Sequence, residues 1–173
     1  MLDILRKRRS IRKYRGEKIG APLLDLLKEA LLRCPTARNA QPWEFIFVDD
    51  PGILEKLAHT KTMGSSFLAD APLAVVICGD ETRSDIWVED CAIAAITLHY
   101  TAHSLNLGSC WIHIRNRPHD QEKSAEAYVQ ELLRLPAHVR VLAMMAIGYP
   151  AEEKPGHPEK SLLYERIHEN RFG

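Results

Sequence analysis

The chain has 173 residues, of which 46% are hydrophobic and 27% are charged, and its 23 basic side chains balance its 23 acidic ones. This length and composition are typical of a single globular domain, and the neutral balance argues against general adhesion to nucleic acids or membranes. No apolar run approaches the ~20 residues of a membrane-spanning helix, no signal peptide is predicted, and four cysteines without a CxxC pair indicate reduced thiols in a cytoplasmic protein.

The first third of the chain predicts helices separated by one loop and one strand. Leucines at helical spacing follow Pro22, and Pro35 prevents that helix from continuing much beyond Cys34. A short apolar segment of strand length then begins at Trp43 and ends in a turn sequence. In chain order the predicted elements are a basic helix over 2–9, a helix ending near residue 34, a loop over 35–42, a strand over 43–48 and a helix over 52–60.

The rest of the chain predicts three more strands, two helices and a polar tail. A continuous apolar run indicates that the first of these strands is buried on both faces, and the longest helix is rich in alanine and apolar nearly all round. The predicted elements are strands over 73–78 and 140–147, a strand or extended loop over 109–114, helices over 85–106 and 121–134, and a tail over 149–173 too polar to form its own core. This mixture predicts the α+β class with one sheet in a single domain, residues 1–173.

The most distinctive segment is a basic arm over residues 6–15, in which seven of ten side chains are cationic. A solvated arm, a nucleic-acid contact and a phosphate-binding site all fit such a composition. The neutral remainder of the chain and the lack of an aromatic platform disfavour nucleic acid. Guanidinium groups suit phosphate oxygens, so Arg8, Ser10 and Arg12 are candidates for holding a small phosphorylated ligand.

A second candidate site is the proline-bounded loop that carries Thr36, Arg38, Asn39 and Gln41. Amide side chains held between rigid ends can bind the edge of a flat polar heterocycle. On these residues alone, a polar turn that satisfies its own backbone is the more favoured interpretation.

His99 and His103 stand four residues apart on the long predicted helix, a spacing that places two imidazoles on one face. The pair lacks the Glu of an HExxH motif and a third ligand, and Cys110 with His113 is equally isolated. We therefore predict no metal site and place the helix histidines at the surface or at a subunit contact. The sequence also contains no P-loop, dinucleotide-binding glycine motif or nucleophile elbow.

Four segments in register resemble the nitroreductase family of FMN-dependent oxidoreductases, and they extend the resemblance from near residue 3 to near residue 170. One is the basic arm over 8–14, and the second is Asn-Ala-Gln-Pro-Trp-Glu-Phe over 39–45. The other two are Leu-Gly-Ser-Cys-Trp-Ile over 107–112 and Ile-Gly-Tyr-Pro over 147–150. The chain resembles the short members of that family.

The resemblance implies a single mixed, mainly antiparallel sheet flanked by helices, in a homodimer with two FMN sites at the subunit interface and a C-terminal tail that wraps the partner. One subunit is expected to hold the phosphate, ribityl and pyrimidine end of FMN with Arg8, Arg9, Ser10 and Arg12. The second subunit is expected to cover the ring with Pro35, Thr36, Ala37, Asn39 and Gln41. The segment near flavin N5 corresponds to Trp111, Ile112 and His113, and Lys160, helped by Lys154, is expected to complete the phosphate site.

The implied activity passes two electrons from NADH or NADPH through flavin N5 to an oxidised small-molecule acceptor, such as a nitroaromatic or a quinone, by a ping-pong mechanism. The resemblance also leaves open a related flavin reaction, such as dehalogenation or oxidative ring chemistry, and a non-catalytic FMN-binding protein. No side chain need act as a nucleophile, because the cofactor carries the redox chemistry. His113 stands where many short members have Gly, so its side chain is expected to affect the substrate pocket.

Overall fold

The computed structural model describes residues 1–173 and contains one sheet of four strands in the order β1-β2-β4-β3. All three strand pairings are antiparallel, which confirms the expected α+β class with a single, mainly antiparallel sheet. An isolated parallel bridge joins Ser10 to Ser109. The strands are β1 (Trp43–Val48), β2 (Leu73–Asp80), β3 (Gly108–His113) and β4 (Val139–Gly148).

Five helices accompany the sheet, and their ends differ from the predicted ends by a few residues. The first helix ends two residues early because Arg8 adopts an extended backbone (φ −61°, ψ 134°). The fifth begins late because the Ser124 side chain caps it, accepting a hydrogen bond from the Ala127 N–H at 3.1 Å. The helices are α1 (Leu2–Lys7), α2 (Ala21–Leu32), α3 (Pro51–Ala58), α4 (Trp87–Ser104) and α5 (Ala125–Leu133).

The sheet is buried on both faces, as the continuous apolar run of β2 predicts. Alternate residues of β2 point to opposite faces, so Val76 packs in the layer with α3 and α5 while Val75 packs in the layer with α2 and α4. The close approach of α4 to the sheet needs Gly79, where a Cβ atom would lie 2.6 Å from the Trp87 ring. The central strands β2 and β4 are therefore enclosed between two helical layers.

Helix α4 packs on the sheet but leaves one stripe open. Buried alanines such as Ala94 and Ala95 face the sheet, whereas Ile93 and Ile96 are each 40% exposed. The helix is long enough to separate two polar residues that are themselves buried, Asp90 near its beginning and His99 near its end. This stripe and these two residues organise the candidate site described below.

The four cysteines are all buried and unpaired. Burial raises the pKa of the Cys91 thiol to about 12, so this sulfur stays protonated at neutral pH. None of the helices has the combination of length and apolarity needed to span a membrane. The tail first follows the arm, where the Ala151 N–H donates to the Lys13 carbonyl at 2.9 Å, and residues 158–173 are exposed throughout.

Candidate functional site

The arm is fixed along the edge of the sheet by its backbone. The Ile11 N–H donates to the Ser109 carbonyl at 3.0 Å, and the Arg15 N–H donates to the Tyr149 carbonyl at 2.9 Å. The buried Tyr14 hydroxyl donates back to the Ile11 carbonyl at 2.5 Å, and burial raises the pKa of this phenol, so the donor stays protonated. The intervening basic side chains are thus held on a defined backbone rather than on a mobile segment.

The side chains of the arm line a cavity of about 270 Å³, here called the arm cavity, which contains no carboxylate among its lining residues. A neighbouring cavity of about 890 Å³ shares Arg8, Arg9 and Lys154 with it and reaches His103 at the end of α4. Several cations around a cavity that no carboxylate lines are suited to a phosphate group. The arm cavity is lined by Arg8, Arg9, Ser10, Arg12, Lys154 and His157.

Arg8 is the arm residue with a buried polar atom that has no hydrogen-bond partner. Its Nη1 lies 2.7 Å from His99 Nε2, whereas its Nε is buried and has no partner. A buried N–H without an acceptor is costly, and a charged one is more costly still. An anionic oxygen bound beside Arg8 would remove that cost, so the residues present fit a phosphate-bearing ligand.

Glu152 and Lys154 of the tail hold the arm in shape. Glu152 Oε1 accepts hydrogen bonds from the Arg12 backbone N–H at 2.6 Å and from Lys154 Nζ at 2.8 Å, and both lower the pKa of this carboxyl. Lys154 Nζ also donates to the Ser10 carbonyl at 3.1 Å. Sequence reasoning missed Glu152, because its partner Arg12 lies 140 residues away along the chain.

The loop between the prolines has a preformed and unusual backbone. Arg38, Asn39 and Gln41 all adopt positive φ, between 46° and 54°, in the left-handed region that non-glycine residues rarely occupy. The Gln41 N–H donates to Thr36 Oγ1 at 3.1 Å, and the Ala37 N–H donates to a side-chain oxygen of Asp90 at 3.0 Å. The exposed amides are therefore displayed on a loop attached to α4.

The structure does not bring the loop and the arm together within one chain. The loop is attached to α4 through Asp90, whereas the arm is attached through His99. These residues are nine positions apart, which corresponds to about 14 Å at 1.5 Å per helical residue. One protomer therefore displays the two candidate surfaces at opposite ends of α4.

The third candidate segment lies on the edge strand β3. The rings of Trp111 and His113 stack with centroids 6.1 Å apart on one face, while Ile112 points into the core. Burial, together with the nearby cations of Arg117, Lys61 and Arg115, lowers the pKa of His113. An imidazole with a lowered pKa is neutral at pH 7, so His113 contributes a ring with one donor and one acceptor.

Comparison with known proteins identifies the family. The sequence profile of the nitroreductase family matches residues 5–60 and 54–149, which include the arm, the loop and all four strands. The chain belongs to the nitroreductase family. This is a family of oxidoreductases, and the match confirms the resemblance that the four sequence segments show.

Individual relatives agree over nearly the whole length of this nitroreductase-family chain. An FMN-dependent nitroreductase from Clostridium difficile R20291 superimposes with a TM-score of 0.98 at 42% identity, covering 99% of this chain and 100% of the other. A Methanothermobacter thermautotrophicus protein, whose name proposes an NADH dehydrogenase or NAD(P)H nitroreductase, is 35% identical, covering 90% of this chain and 80% of that protein. An FMN reductase [NAD(P)H] from Bacillus subtilis is 28% identical, covering 99% of this chain and 75% of its own length.

The prediction that His99 lies at the helix surface is wrong, because its ring is buried between the arm and β3; the alternative of a subunit contact stays a prediction. Lys160 lies in an exposed turn of the tail, and the lysine that lines the arm cavity is Lys154. No cluster of three His, Cys, Asp or Glu side chains is arranged to hold a metal ion.

Proposed function

We propose that this protein is an FMN-dependent oxidoreductase that passes two electrons from NADH or NADPH to an oxidised small-molecule acceptor. The observation that carries the proposal is the arm cavity, where the half-buried Arg8 has a buried, unpartnered Nε and lies among further cations and a hydroxyl. The FMN-dependent relative and the FMN reductase relative support the same cofactor. When bound, FMN supplies two-electron redox chemistry between a nicotinamide donor and an acceptor.

The arm residues have defined tasks in this proposal. Arg8, Arg9 and Arg12 would bind phosphate and polar edge groups through charge-assisted hydrogen bonds, with the Ser10 hydroxyl as a neutral donor. Lys154 adds a fourth cation at the cavity, and Lys160 remains a candidate from the exposed tail. Because the Arg8 and Lys154 side chains are already hydrogen-bonded within the chain, these two lose little freedom when the cofactor enters.

We also propose that the active form is a homodimer in which each site combines the arm of one copy with the loop of the other. The arm and loop lie at opposite ends of α4, and the open stripe with Ile93 and Ile96 lies between them. If two α4 helices pack antiparallel along this stripe, each arm faces the partner's loop. Pro35, Thr36, Ala37, Asn39 and Gln41 would then cover the ring held beside Trp111, Ile112 and His113 of the other copy.

The tail gives a second reason to propose a dimer. Its exposed residues include Leu162, Leu163, Tyr164, Ile167 and Phe172, which have no apolar surface to cover within their own chain. Strand β1 is an edge of the sheet, and beside it lies an apolar groove of about 520 Å³ that contains stacked Trp43 and Phe45. We propose that the tail of one copy packs into this groove of the other, which would hide both apolar surfaces.

The compartment and the excluded partners follow from the same properties. Four buried, unpaired thiols fit the reducing cytoplasm, and we place the protein there. The zero net charge gives no reason to propose nucleic acid or a membrane as a partner, and no metal is part of the proposal.

Purification followed by visible absorption spectroscopy tests the proposal. We expect a yellow protein, or a colourless one that takes up FMN, whose flavin bands bleach on anaerobic addition of NADH or NADPH and return with an oxidised acceptor. A protein that takes up no FMN would contradict the proposal. Bound FMN that neither donor reduces would instead identify a non-catalytic flavin carrier, and a halogenated substrate as the only effective acceptor would identify dehalogenation.

Sedimentation of tail variants tests the dimer. We expect the double variant Leu162→Ser, Leu163→Ser to weaken dimerisation and FMN uptake together, because the tail would no longer cover the groove. The control is Met63→Ser, which removes a similarly exposed apolar side chain outside the tail. A wild-type protein that sediments as a single chain while binding FMN would contradict the shared site.

A further inference from the structure

His99 is a buried polar residue that the proposed function leaves without a task. It is 6% exposed and lies on α4, where the neighbouring histidine His103 is only partly buried. Its Nε2 is 2.7 Å from Arg8 Nη1 in the arm, and its Nδ1 is hydrogen-bonded to the hydroxyl of Ser109 on β3. The imidazole thus connects the arm, the helix and the sheet at one point.

The chemistry of the partners determines the protonation of the ring. A guanidinium group has only donors, so His99 Nε2 must carry a lone pair and accept from Arg8. A neutral imidazole then carries its hydrogen on Nδ1, which donates to Ser109 Oγ. A doubly protonated ring has no acceptor and would repel Arg8.

The surroundings keep the ring in that neutral form. Burial lowers the pKa of His99 to about 4, with further contributions from the positive charge of Arg8 on the arm and from His103 on the same helix. From β3 the ring meets the uncharged Ser109 hydroxyl. His99 Nε2 therefore remains able to accept the hydrogen bond from Arg8 across the physiological pH range.

The hydrogen bond to His99 restricts the orientation of the Arg8 side chain. An arginine side chain has several rotatable bonds, and an unrestrained one loses much of its freedom when it binds a ligand. Here Nη1 is tied to His99 in a side chain that lines the arm cavity, and its Nε is buried without a partner. The tether therefore sets which N–H groups remain available to a ligand.

We propose that His99 is a positioning residue that holds the Arg8 guanidinium in place to bind the phosphate end of FMN. The inference rests on the proposed function for the identity of the ligand. His99, near the end of α4, would thus contribute to ligand binding by the arm as well as to packing. Ser109 belongs to the same hydrogen-bonded chain, because its hydroxyl accepts the hydrogen that Arg8 confines to His99 Nδ1.

FMN titration of three variants tests the role of the side chain. His99→Leu keeps an apolar filling but removes the acceptor, and we expect FMN affinity to fall about tenfold. His99→Gln can still accept from Arg8 and donate to Ser109, so we expect it to restore affinity to within about threefold of wild type. The control His119→Gln changes a histidine that instead bonds the Thr60 carbonyl, at 2.9 Å, and should bind FMN like wild type.

Nitrogen NMR of the full-length protein freed of flavin tests this hydrogen-bonded chain independently of the cofactor. We expect the His99 ring to carry its hydrogen on Nδ1 and to stay neutral to below about pH 5, and Arg8→Met to raise its pKa. A ring protonated on Nε2, or FMN affinity in His99→Leu equal to that of a folded wild type, would overturn the inference. A wild type that binds no FMN overturns the proposed function itself and is recognised before any variant is compared.

Discussion

Two arginines at opposite sides of the molecule show how differently one side chain is supported. Arg140 on β4 donates from Nε and Nη2 to the two oxygens of Glu126, at 2.9 and 2.8 Å, and from Nη1 to Glu81 at 2.8 Å. Glu126 is buried and also accepts from the Val141 N–H at 2.9 Å. Every charged group in this cluster has a partner within the chain.

Arg8 is the contrasting case. Its one protein partner is a neutral imidazole, its Nε has no acceptor, and no carboxylate lines the small cavity beside it. Leaving a buried N–H of this half-buried cation without an acceptor costs free energy. The comparison indicates that Arg140 stabilises the fold, and it supports the proposal that Arg8 binds a ligand.

The largest expected effect is a loss of stability when the carboxylate partner of Arg140 is removed. Glu126→Gln should lower the free energy of unfolding by about 3 kcal/mol, because it leaves Arg140 facing an uncharged amide. FMN affinity should stay within about twofold, since the cluster does not touch the arm. Urea denaturation at fixed protein concentration and flavin titration check the two halves, and a parallel fall in FMN affinity would show that the two regions are coupled.

The next effect concerns ligand binding. Arg8→Met should weaken FMN binding by about 30- to 100-fold, the equivalent of about 2 to 3 kcal/mol for charge-assisted hydrogen bonds. The stability of the flavin-free protein should change little, because the variant removes the buried unpartnered Nε of Arg8 but also removes the donor to His99 Nε2. Arg33→Met is the control, since it removes an exposed arginine that pairs with Glu29 on α2. Equal losses in both variants would point to general electrostatics instead of a specific site.

The lowered pKa of His99 predicts that the stability of the protein depends on pH. Because its folded pKa, about 4, lies below the ordinary 6.5, its contribution to stability is full above about pH 6.5 and is lost as the pH falls towards 4. Between about pH 8 and 5 the loss is about 2 kcal/mol. The pH dependence of unfolding should therefore be flatter by this amount in His99→Gln than in wild type, and identical slopes would contradict a neutral buried ring.

The smallest expected effect separates two lysines of the tail. Lys154→Ala should weaken FMN binding about fivefold, because Lys154 lines the arm cavity and also tethers the Ser10 carbonyl. Lys160→Ala should have less effect than Lys154→Ala, since Lys160 is exposed in its own chain. The reverse order in flavin titrations would show that the partner's tail brings Lys160 into the site.

The sequence predicts the fold well where the signal is local. The run from Trp43 to Val48 forms β1 with the predicted ends, since one apolar segment between turn residues is enough to specify a strand. Helix ends are less certain, because Arg8 leaves the helical conformation to enter the arm. The end of this helix depends on where the following arm is anchored. The hydrophobic periodicity of the sequence does not specify that position.

The candidate site divides in the same way. The arm and loop residues are visible as short motifs, and the structure gathers the arm residues around one cavity. The partners that support them are not visible, because Glu152 and His99 lie 140 and 91 residues from the arm atoms they bind. In the sequence His99 shows only a four-residue spacing to His103, from which we predict a surface position or a subunit contact and no metal site, and only its packing shows its actual contacts.

The separation of arm and loop along α4 has a genetic consequence for the proposed dimer. A chain with a defective arm and a chain with a defective loop would each form inactive homodimers. In a mixed dimer, one site receives both defects, while the other combines an intact arm with an intact loop. Co-expression of the two inactive alleles should therefore restore flavin binding to one site in each mixed dimer, a complementation between subunits that a site contained within one polypeptide would not show.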